Sequence, residues 1–262
     1  MLDIVLFTLD IDYAAAAVRA GVAGVVVDWE WRGKAARQQG RDTQINHGTQ
    51  EDLTRVRARC AGPVICRINN QPEARLREAR LAVELGADEV WLPMVRSIAE
   101  VRECLDAVGD QAAVGMMLET RDALALGREL AQLPLSRVYV GLNDLCIDSS
   151  KANLFEPLID GTIERFRDSY SGPLGFAGVT RPERGAPIPQ RLLLAEMARL
   201  DCSFGVARRA FHADVALDEI GQVLTDIAAT WRSIEARDGP ARDADHAQLK
   251  RAVLGEIAAK AS

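Results

Sequence analysis

A closed (β/α)8 barrel, or TIM barrel, with a C-terminal helical extension is the α/β fold that this sequence predicts. Eight short apolar runs recur along the chain, and segments with apolar residues at helical spacing separate them. The length of 262 residues suits one such barrel. An open, doubly wound sheet is the alternative, but it normally has a glycine-rich first turn, where this chain has Asp10, Ile11 and Asp12.

The eight apolar runs are the predicted strands, at residues 4–8, 22–27, 64–68, 89–92, 114–118, 137–140, 174–177 and 203–207. Between them, helical spacing predicts helices over residues 73–85 and 98–108. Thr49 and Ser97 are each followed by an acid three residues later, which predicts two helix starts. Gly86 predicts the left-handed end of a helix.

The predicted domains are a barrel of residues 1–235 and an extension of residues 236–262. Residues 236–245 have the composition of a linker. On the short helix expected after it, an apolar stripe is formed by Leu249, Val253 and Ile257. We expect this stripe to pack on a neighbouring subunit or back on the barrel.

The composition argues against several classes of protein. A formal net charge of -6 provides no basic surface for nucleic acid, and no apolar run is long enough to cross a membrane. The 5 cysteines show no C-x-x-C spacing, and the N-terminal segment lacks the basic flank of a signal peptide. We therefore expect a cytoplasmic protein that binds neither nucleic acid nor membrane.

Two acidic residues, Glu119 and Asp144, each follow a predicted strand. About 25 residues separate them, the length of one strand, its crossover helix and loops, so they are expected side by side on one rim of the barrel. Neighbouring carboxylates repel each other unless a cation lies between them, and oxygen ligands suit a hard divalent ion. The pair predicts a metal site, whereas either acid alone is more simply a surface or loop-capping group.

Three further charged residues end predicted strands two and three. Arg67 lies in a buried run and needs an anionic partner, either a substrate carboxylate or enolate oxygen, or an internal salt bridge. Asp28 and Glu30 alternate around Trp29 and are expected to point the same way. They could orient metal-bound water or brace Arg67.

Two connections, residues 29–48 and 146–153, are longer than a barrel requires and are candidate substrate covers. His47 lies in the first and could act as a mobile acid or base, although a plain surface histidine is the simpler interpretation. Thr180 and Arg181 are expected at the same rim after strand seven.

Five stretches carry a resemblance to a known family: V-V-V-D-W-E, V-I-C-R-I, G-A-D-E-V-W-L-P-M-V, M-L-E-T and Y-V-G-L-N-D-L, over about residues 20–145. In these stretches the chain resembles the HpcH/HpaI aldolase and citrate lyase beta-subunit family, the class II pyruvate aldolases of the phosphoenolpyruvate/pyruvate barrel superfamily. A looser likeness continues in G-F-A-G-V-T.

The resemblance implies a Mg2+, Mn2+ or Co2+ site made by Glu119 and Asp144 and completed by water and a 2-oxo acid. It implies that Arg67 steadies a pyruvate-like enolate, and that backbone amides over 141–144, those of Gly141, Leu142 and Asn143 among them, bind the substrate carboxylate. The implied activity is carbon–carbon lysis or formation between a 2-oxo acid and an aldehyde. The implied assembly is a homo-oligomer, a trimer or hexamer, that exchanges C-terminal helices.

The chain departs from the aldolase pattern at three positions. Trp31 stands where aldolases carry a histidine after D-x-E, Met117 where they often carry glutamine, and Leu142 where proline is frequent. Water held by the D-W-E acids, or His47, could replace the missing base.

Two other functions stay open at this point. One is a citrate-lyase-like acyl-CoA lyase or thioesterase, for which a phosphate-binding patch could come from Arg32, Lys34, Arg37 and Arg41. The other is a catalytically silent barrel that binds a metabolite or a protein, which the missing base would favour.

Overall fold

The computed structural model describes residues 1–37, 47–208 and 210–261. Eight parallel strands close into a barrel in chain order, and the last strand pairs with the first. They are β1 (Asp3–Phe7), β2 (Gly24–Asp28), β3 (Val64–Arg67), β4 (Glu89–Leu92), β5 (Ala113–Leu118), β6 (Val138–Val140), β7 (Leu174–Val179) and β8 (Phe204–Ala207). The predicted closed barrel is confirmed.

Helices follow the strands on the outside of the barrel. Those of the described ranges are α1 (Ile11–Ala20), α2 (Lys34–Arg37), α3 (Gln50–Arg59), α4 (Pro72–Glu84), α5 (Ile98–Val108), α6 (Arg121–Leu124), α7 (Gly127–Leu130), α8 (Leu142–Asp148), α9 (Glu156–Ile159), α10 (Thr162–Ser169), α11 (Gln190–Arg199), α12 (Phe211–Asp214), α13 (Ile220–Glu235) and α14 (Gly239–Ala261). Short 3-10 turns lie at Gly109–Gln111 and Leu217–Glu219.

The helix boundaries read from the sequence agree closely with the structure. Thr49 and Asp52 form the expected capping box at the start of α3, with the Thr49 hydroxyl accepting the Asp52 amide at 3.1 Å and the Asp52 carboxylate accepting the Thr49 amide at 2.9 Å. The Ser97 side chain caps α5. Gly86, with φ of 91°, ends α4 in the left-handed conformation that a side chain would strain.

The core has two layers. One lies between the sheet and the helices, and the other fills the inside of the barrel. The inner layer consists of Val5, Val26, Ile65, Trp91, Met117, Tyr139, Phe204 and Val206. At its centre Trp91 stacks on Tyr139, with ring centroids 5.3 Å apart, so side chains rather than a pore support the rim above.

The C-terminal helix differs from the expectation. Residues 239–245, expected as linker, form the first turns of the 23-residue α14. Leu249 and Val253 are fully buried, and α14 packs on α9 and α11 of its own barrel, one of the two packings expected for the stripe. Asp245, also buried, holds this contact through Arg191 at 2.7 Å and Arg237 at 2.8 Å. The division at residue 235 and the trimer or hexamer stay predictions.

The connection after β6 also differs. The expected long loop of residues 146–153 begins inside α8, which continues to Asp148. All five cysteines are buried, and none forms a disulfide. Among the helices of the described ranges, none has both the length and the apolar character needed to cross a membrane.

Candidate active site

The two predicted metal ligands come together at the carboxyl-terminal rim of the barrel. Glu119 directly follows β5, and Asp144 is the third residue of α8, which begins two residues after β6 ends. The register pairs Leu118 with Val140, and the Gly141 amide continues the ladder by donating to the Leu118 carbonyl at 3.1 Å. Glu119 and Gly141 are therefore direct neighbours across the two strands.

Glu119 lies in a tight, polar position. Its Oε2 accepts the backbone amide of Met94 at 2.9 Å, and Met94 itself has a φ of 51°, unusual for a residue with a side chain. A Cβ on residue 141 would collide with Glu119 Oε1, so the glycine leaves the room that the carboxyl group occupies. Burial, followed by the negative charges of Asp144 and Glu30, raises the pKa of Glu119 to about 8.

Arg67 ends β3 and is held by the two acids of the D-W-E segment. Its Nε donates to Asp28 Oδ1 at 2.7 Å and its Nη2 to Asp28 Oδ2 at 2.5 Å. Nη1 lies 3.3 Å from Glu30 Oε2. The guanidinium rests on the ring of Phe7, 4.8 Å from its centroid, and Nη1 reaches Met117 Sδ at 3.6 Å.

The contacts of Arg67 agree with several expectations for the acids that follow strand two. Asp28 and Glu30 point the same way, as their alternation around Trp29 predicted, because both contact Arg67. Of the two partners considered for Arg67, the structure shows the internal salt bridge. Asp28 and Glu30 therefore brace Arg67, which was one of the two roles expected for them.

Two further cations reach these acids from α2, and both were considered from the sequence only for a phosphate-binding patch. Lys34 is 4% exposed, and its Nζ lies 3.1 Å from Glu30 Oε2 and 3.7 Å from Asp28 Oδ2. Arg37 bridges two acids, with Nη2 2.6 Å from Glu30 Oε1 and Nε 2.8 Å from Asp144 Oδ1. The spacing of Glu30 and Lys34, four residues apart, was the available signal, since it suits an ion pair on one helical turn.

Neighbouring charges set the protonation states of Glu30 and Arg67. Burial alone would raise the pKa of the Glu30 carboxyl, but three neighbouring cations outweigh it and lower that pKa to about 2: Arg67, Lys34 and Arg37. Burial alone would lower the pKa of Arg67, and the charges of Asp28 and Glu30 instead hold it well above its usual value. Glu30 and Arg67 are therefore ionised together.

Tyr139 is a site residue that the sequence reasoning missed. It pairs with Met117 across β5 and β6, and its side chain lies in the inner core beneath the rim. Burial raises the pKa of its phenol, with the charges of Arg67 and Glu119 acting on it as well. Alternation along β6 could have indicated that Tyr139 faces the inside of the barrel.

The other predicted substrate-binding residues form the start of α8. Gly141 is the N-cap, and its amide is already donated to the Leu118 carbonyl, so the substrate-binding role expected for this amide is not supported. Leu142 and Asn143 are the first two helical residues, and their amides belong to the turn that has no carbonyl partner within the helix. The Leu142 side chain is buried in the core between sheet and helices. Its contribution to a site can come only from its backbone.

His47, one of the groups considered as a replacement base, lies beside Trp31. Trp31 is 46% exposed, and its ring is 5.9 Å from that of the exposed His47. Thr180 and Arg181 follow β7 as expected, but they contact Asp214, the last residue of α12. Arg41 lies outside the described residues.

Within the ranges that the structure describes, no three histidine, cysteine or acidic side chains are grouped so as to hold a metal ion by themselves. At the rim, Glu119 and Asp144 offer carboxylate oxygens, whereas the carboxylates of Asp28 and Glu30 contact Arg67 and Lys34. Any ion bound there would complete its coordination with water or substrate, as the resemblance implies.

Comparisons with known proteins bear on the fold. No protein-family model and no curated protein matches this chain. Among solved structures it is similar to RipC from Yersinia pestis, with a TM-score of 0.57 and 16% identity over 92% of this chain and 98% of that chain. It is also similar to the HpcH/HpaI aldolase from Desulfitobacterium hafniense DCB-2, with a TM-score of 0.56 and 14% identity over 91% and 94% of the two chains. The resemblance read from the sequence is thus confirmed at the level of the fold, which this chain shares with both proteins.

Proposed function

We propose that this chain is a divalent-metal-dependent carbon–carbon lyase of the aldolase type, acting on a 2-oxo acid through a pyruvate-like enolate. The observation that carries the proposal is the meeting of Glu119 and Asp144 at the carboxyl-terminal rim, beside the buried guanidinium of Arg67. In barrels of this kind that rim is where catalytic groups lie. The similarity to an HpcH/HpaI aldolase structure supports the same choice.

The residues present fit a hard divalent cation. Two carboxylates on adjacent strand ends offer oxygen ligands, and the absence of a side chain at Gly141 leaves room at Glu119. Burial and the negative charges of Asp144 and Glu30 disfavour the ionised form of Glu119 and so raise its pKa. A cation bound by Glu119 and Asp144 would stabilise that ionised form; Mg2+, Mn2+ and Co2+ are the candidates.

When bound, such an ion supplies Lewis acidity, which withdraws electron density from a keto oxygen and makes a carbanion at the adjacent carbon accessible. Arg67 contributes a fixed positive charge beside that oxygen, because Asp28 and Glu30 hold its guanidinium in place. The amides of Leu142 and Asn143 at the start of α8 would receive the substrate carboxylate, whereas that of Gly141 is already donated to the Leu118 carbonyl.

Asp28 and Glu30 act in this proposal by positioning Arg67. A general base works best when its pKa lies near the operating pH, and Glu30 has a pKa of about 2. Its carboxylate is also occupied by Lys34 and Arg37.

An acyl-CoA lyase or thioesterase is less well supported. The patch considered for CoA phosphates included Lys34 and Arg37, and both turn inward onto carboxylates. Arg32 lies over the Trp31 ring, 5.5 Å from its centroid. No observation on the described residues favours this second activity.

The experiment combines a metal titration with a substrate mimic. We expect Mn2+ to bind the wild type in calorimetry, oxalate to bind only when Mn2+ is present, and 4-hydroxy-2-oxo acids to be cleaved with release of pyruvate. Glu119→Gln should abolish Mn2+ binding. Glu89→Gln is the matched control, because Glu89 is equally buried but pairs with Arg137 at the opposite end of the barrel.

Two results would contradict the proposal. Absence of Mn2+ binding to the wild type and to every variant would leave a silent binding barrel. Full cleavage activity in strong chelator would show that the lyase needs no metal.

A further inference from the structure

The single turn α2 directs its two basic side chains at the acids of the rim. These acids are the carboxylate cluster, defined as Asp28, Glu30, Glu119 and Asp144. Lys34 binds the cluster at its Asp28 and Glu30 end, whereas Arg37 spans Glu30 and Asp144. Of these two residues, Arg37 is the one that contacts both the D-W-E segment and a proposed metal ligand.

Two carboxylates hold the guanidinium of Arg37 in a defined position. Its Nε and Nη2 donate to carboxylates of two different segments at 2.8 and 2.6 Å, and these carboxylates are almost fully buried. The Arg37 side chain itself is only 20% exposed. Paired ions with so little exposure are weakly screened by water or salt, so the guanidinium is a strong local positive charge.

A divalent cation at Glu119 and Asp144 would lie close to the Arg37 guanidinium, because Arg37 Nε is 2.8 Å from Asp144 Oδ1. Two positive charges so close together, in a place that little water reaches, repel each other strongly. Occupation by both at once is therefore unfavourable.

We propose that the guanidinium of Arg37 and a divalent cation are alternative occupants of the position beside Asp144, so that metal binding requires Arg37 to leave. This rests on the proposed function, because it takes Asp144 as a metal ligand. Arg37 then sets the metal affinity of the site and couples metal binding to the position of α2. Lys34, which contacts Glu30 and Asp28 and has no contact with Asp144 among those the structure describes, remains in place.

The first test compares Mn2+ affinity in the wild type, Arg37→Met and Lys34→Met, measured by calorimetry and by the electron paramagnetic resonance of free Mn2+. Arg37→Met should bind Mn2+ at least about tenfold more tightly than the wild type, because a competing charge a few ångströms away is removed. Lys34→Met is the matched control: it removes one positive charge from the same turn, and its gain should be clearly smaller.

The second test reads the position of α2 directly. Trypsin must take the arginine side chain into its own binding pocket. Because the Arg37 side chain is only 20% exposed and is bound to two carboxylates, the bond after Arg37 should be cut slowly in metal-free protein. Mn2+ should accelerate that cleavage, followed by mass spectrometry, and should have no such effect on Glu119→Gln.

The outcomes distinguish the proposed function from the competition between Arg37 and the metal ion. If Arg37→Met binds Mn2+ while the wild type binds weakly or not at all, both are supported. Equal or weaker Mn2+ binding by Arg37→Met, or protection of the bond after Arg37 by Mn2+, overturns the competition and leaves the proposed function intact. Absence of binding to the wild type and to Arg37→Met overturns the proposed function and the competition together.

Discussion

Arg67 and Asp28 form a two-point ion pair at the rim of the barrel, with Nε donating to Oδ1 at 2.7 Å and Nη2 donating to Oδ2 at 2.5 Å. The residues belong to neighbouring strands and pair directly in the β2–β3 register. A planar guanidinium can make both bonds at once, which an ammonium group cannot. The pair therefore fixes the direction of the Arg67 head group as well as its charge.

Removal of Arg67 should destabilise the protein strongly. Arg67→Met leaves Asp28 buried without its main partner, and the free energy of unfolding should fall by about 3–5 kcal/mol. Arg67→Lys keeps the charge and should cost less. Urea denaturation followed by circular dichroism measures both, and Arg96→Met, at an exposed ion pair, is the control and should cost less than about 1 kcal/mol. A loss for Arg67→Met as small as that of the control would show that the buried pair is absent in solution.

Glu30 should contribute to stability in a pH-dependent way. Its pKa falls from 4.5 to about 2 on folding, so its ionised form stabilises the protein above pH 4.5, and that contribution disappears as the pH drops towards 2. The full shift corresponds to a contribution on the order of 3 kcal/mol. Glu30→Gln should therefore be less stable than the wild type at pH 7, and the difference should shrink in acid.

Chemical denaturation at a series of pH values between 7 and 3 measures this difference. Glu235→Gln, on the exposed side of α13, is the control and should follow the wild type at every pH. A gap between Glu30→Gln and the wild type that stays constant, or widens in acid, would contradict the ion-pair network around Glu30.

Gly141 should tolerate no side chain. Its φ of -81° suits any residue, so the effect of Gly141→Ala comes from the collision of the new Cβ with the Glu119 carboxylate. We expect a loss of about 1–3 kcal/mol in unfolding free energy and weaker Mn2+ binding by calorimetry. Gly255→Ala is the matched control, because Gly255 lies in α14 with open space around it, and alanine there should stabilise the helix by about 0.5–1 kcal/mol. Equal effects of the two substitutions would contradict the close approach at Glu119.

The packing of α14 can be tested on two leucines of the same helix. Leu249 is fully buried against the barrel and Leu254 is 49% exposed. Leu249→Ala should cost about 2–5 kcal/mol in thermal or urea unfolding, because it leaves a cavity, whereas Leu254→Ala should stay within about 0.5 kcal/mol of the wild type. A mild effect of Leu249→Ala would indicate that α14 does not pack on α11 in solution.

The barrel could be predicted from the sequence because its signals are local. Each strand is a short apolar run, and each crossover carries a helical pattern. Because the strands are parallel, their carboxyl ends all lie on one rim. The same logic predicted that Glu119 and Asp144 would meet, since Glu119 directly follows β5 and Asp144 lies in the first turn of the helix after β6. The start of α14 was harder to predict, because an Ala-, Asp- and Arg-rich segment suits a linker as well as a helix. The burial of Leu249 and Val253 against the barrel, which stabilises the helix, is visible only in the structure.

The sequence by itself therefore determined the architecture and the acids and arginine at the carboxyl-terminal rim. The partners of these charges were decided only by the tertiary structure. Arg37 and Asp144 are 107 residues apart, and a pattern that repeats every two or four residues carries no information on such a contact. Electrostatic attraction in a buried space selected it, because each buried carboxylate needs a cation and the closed barrel brings α2 within reach.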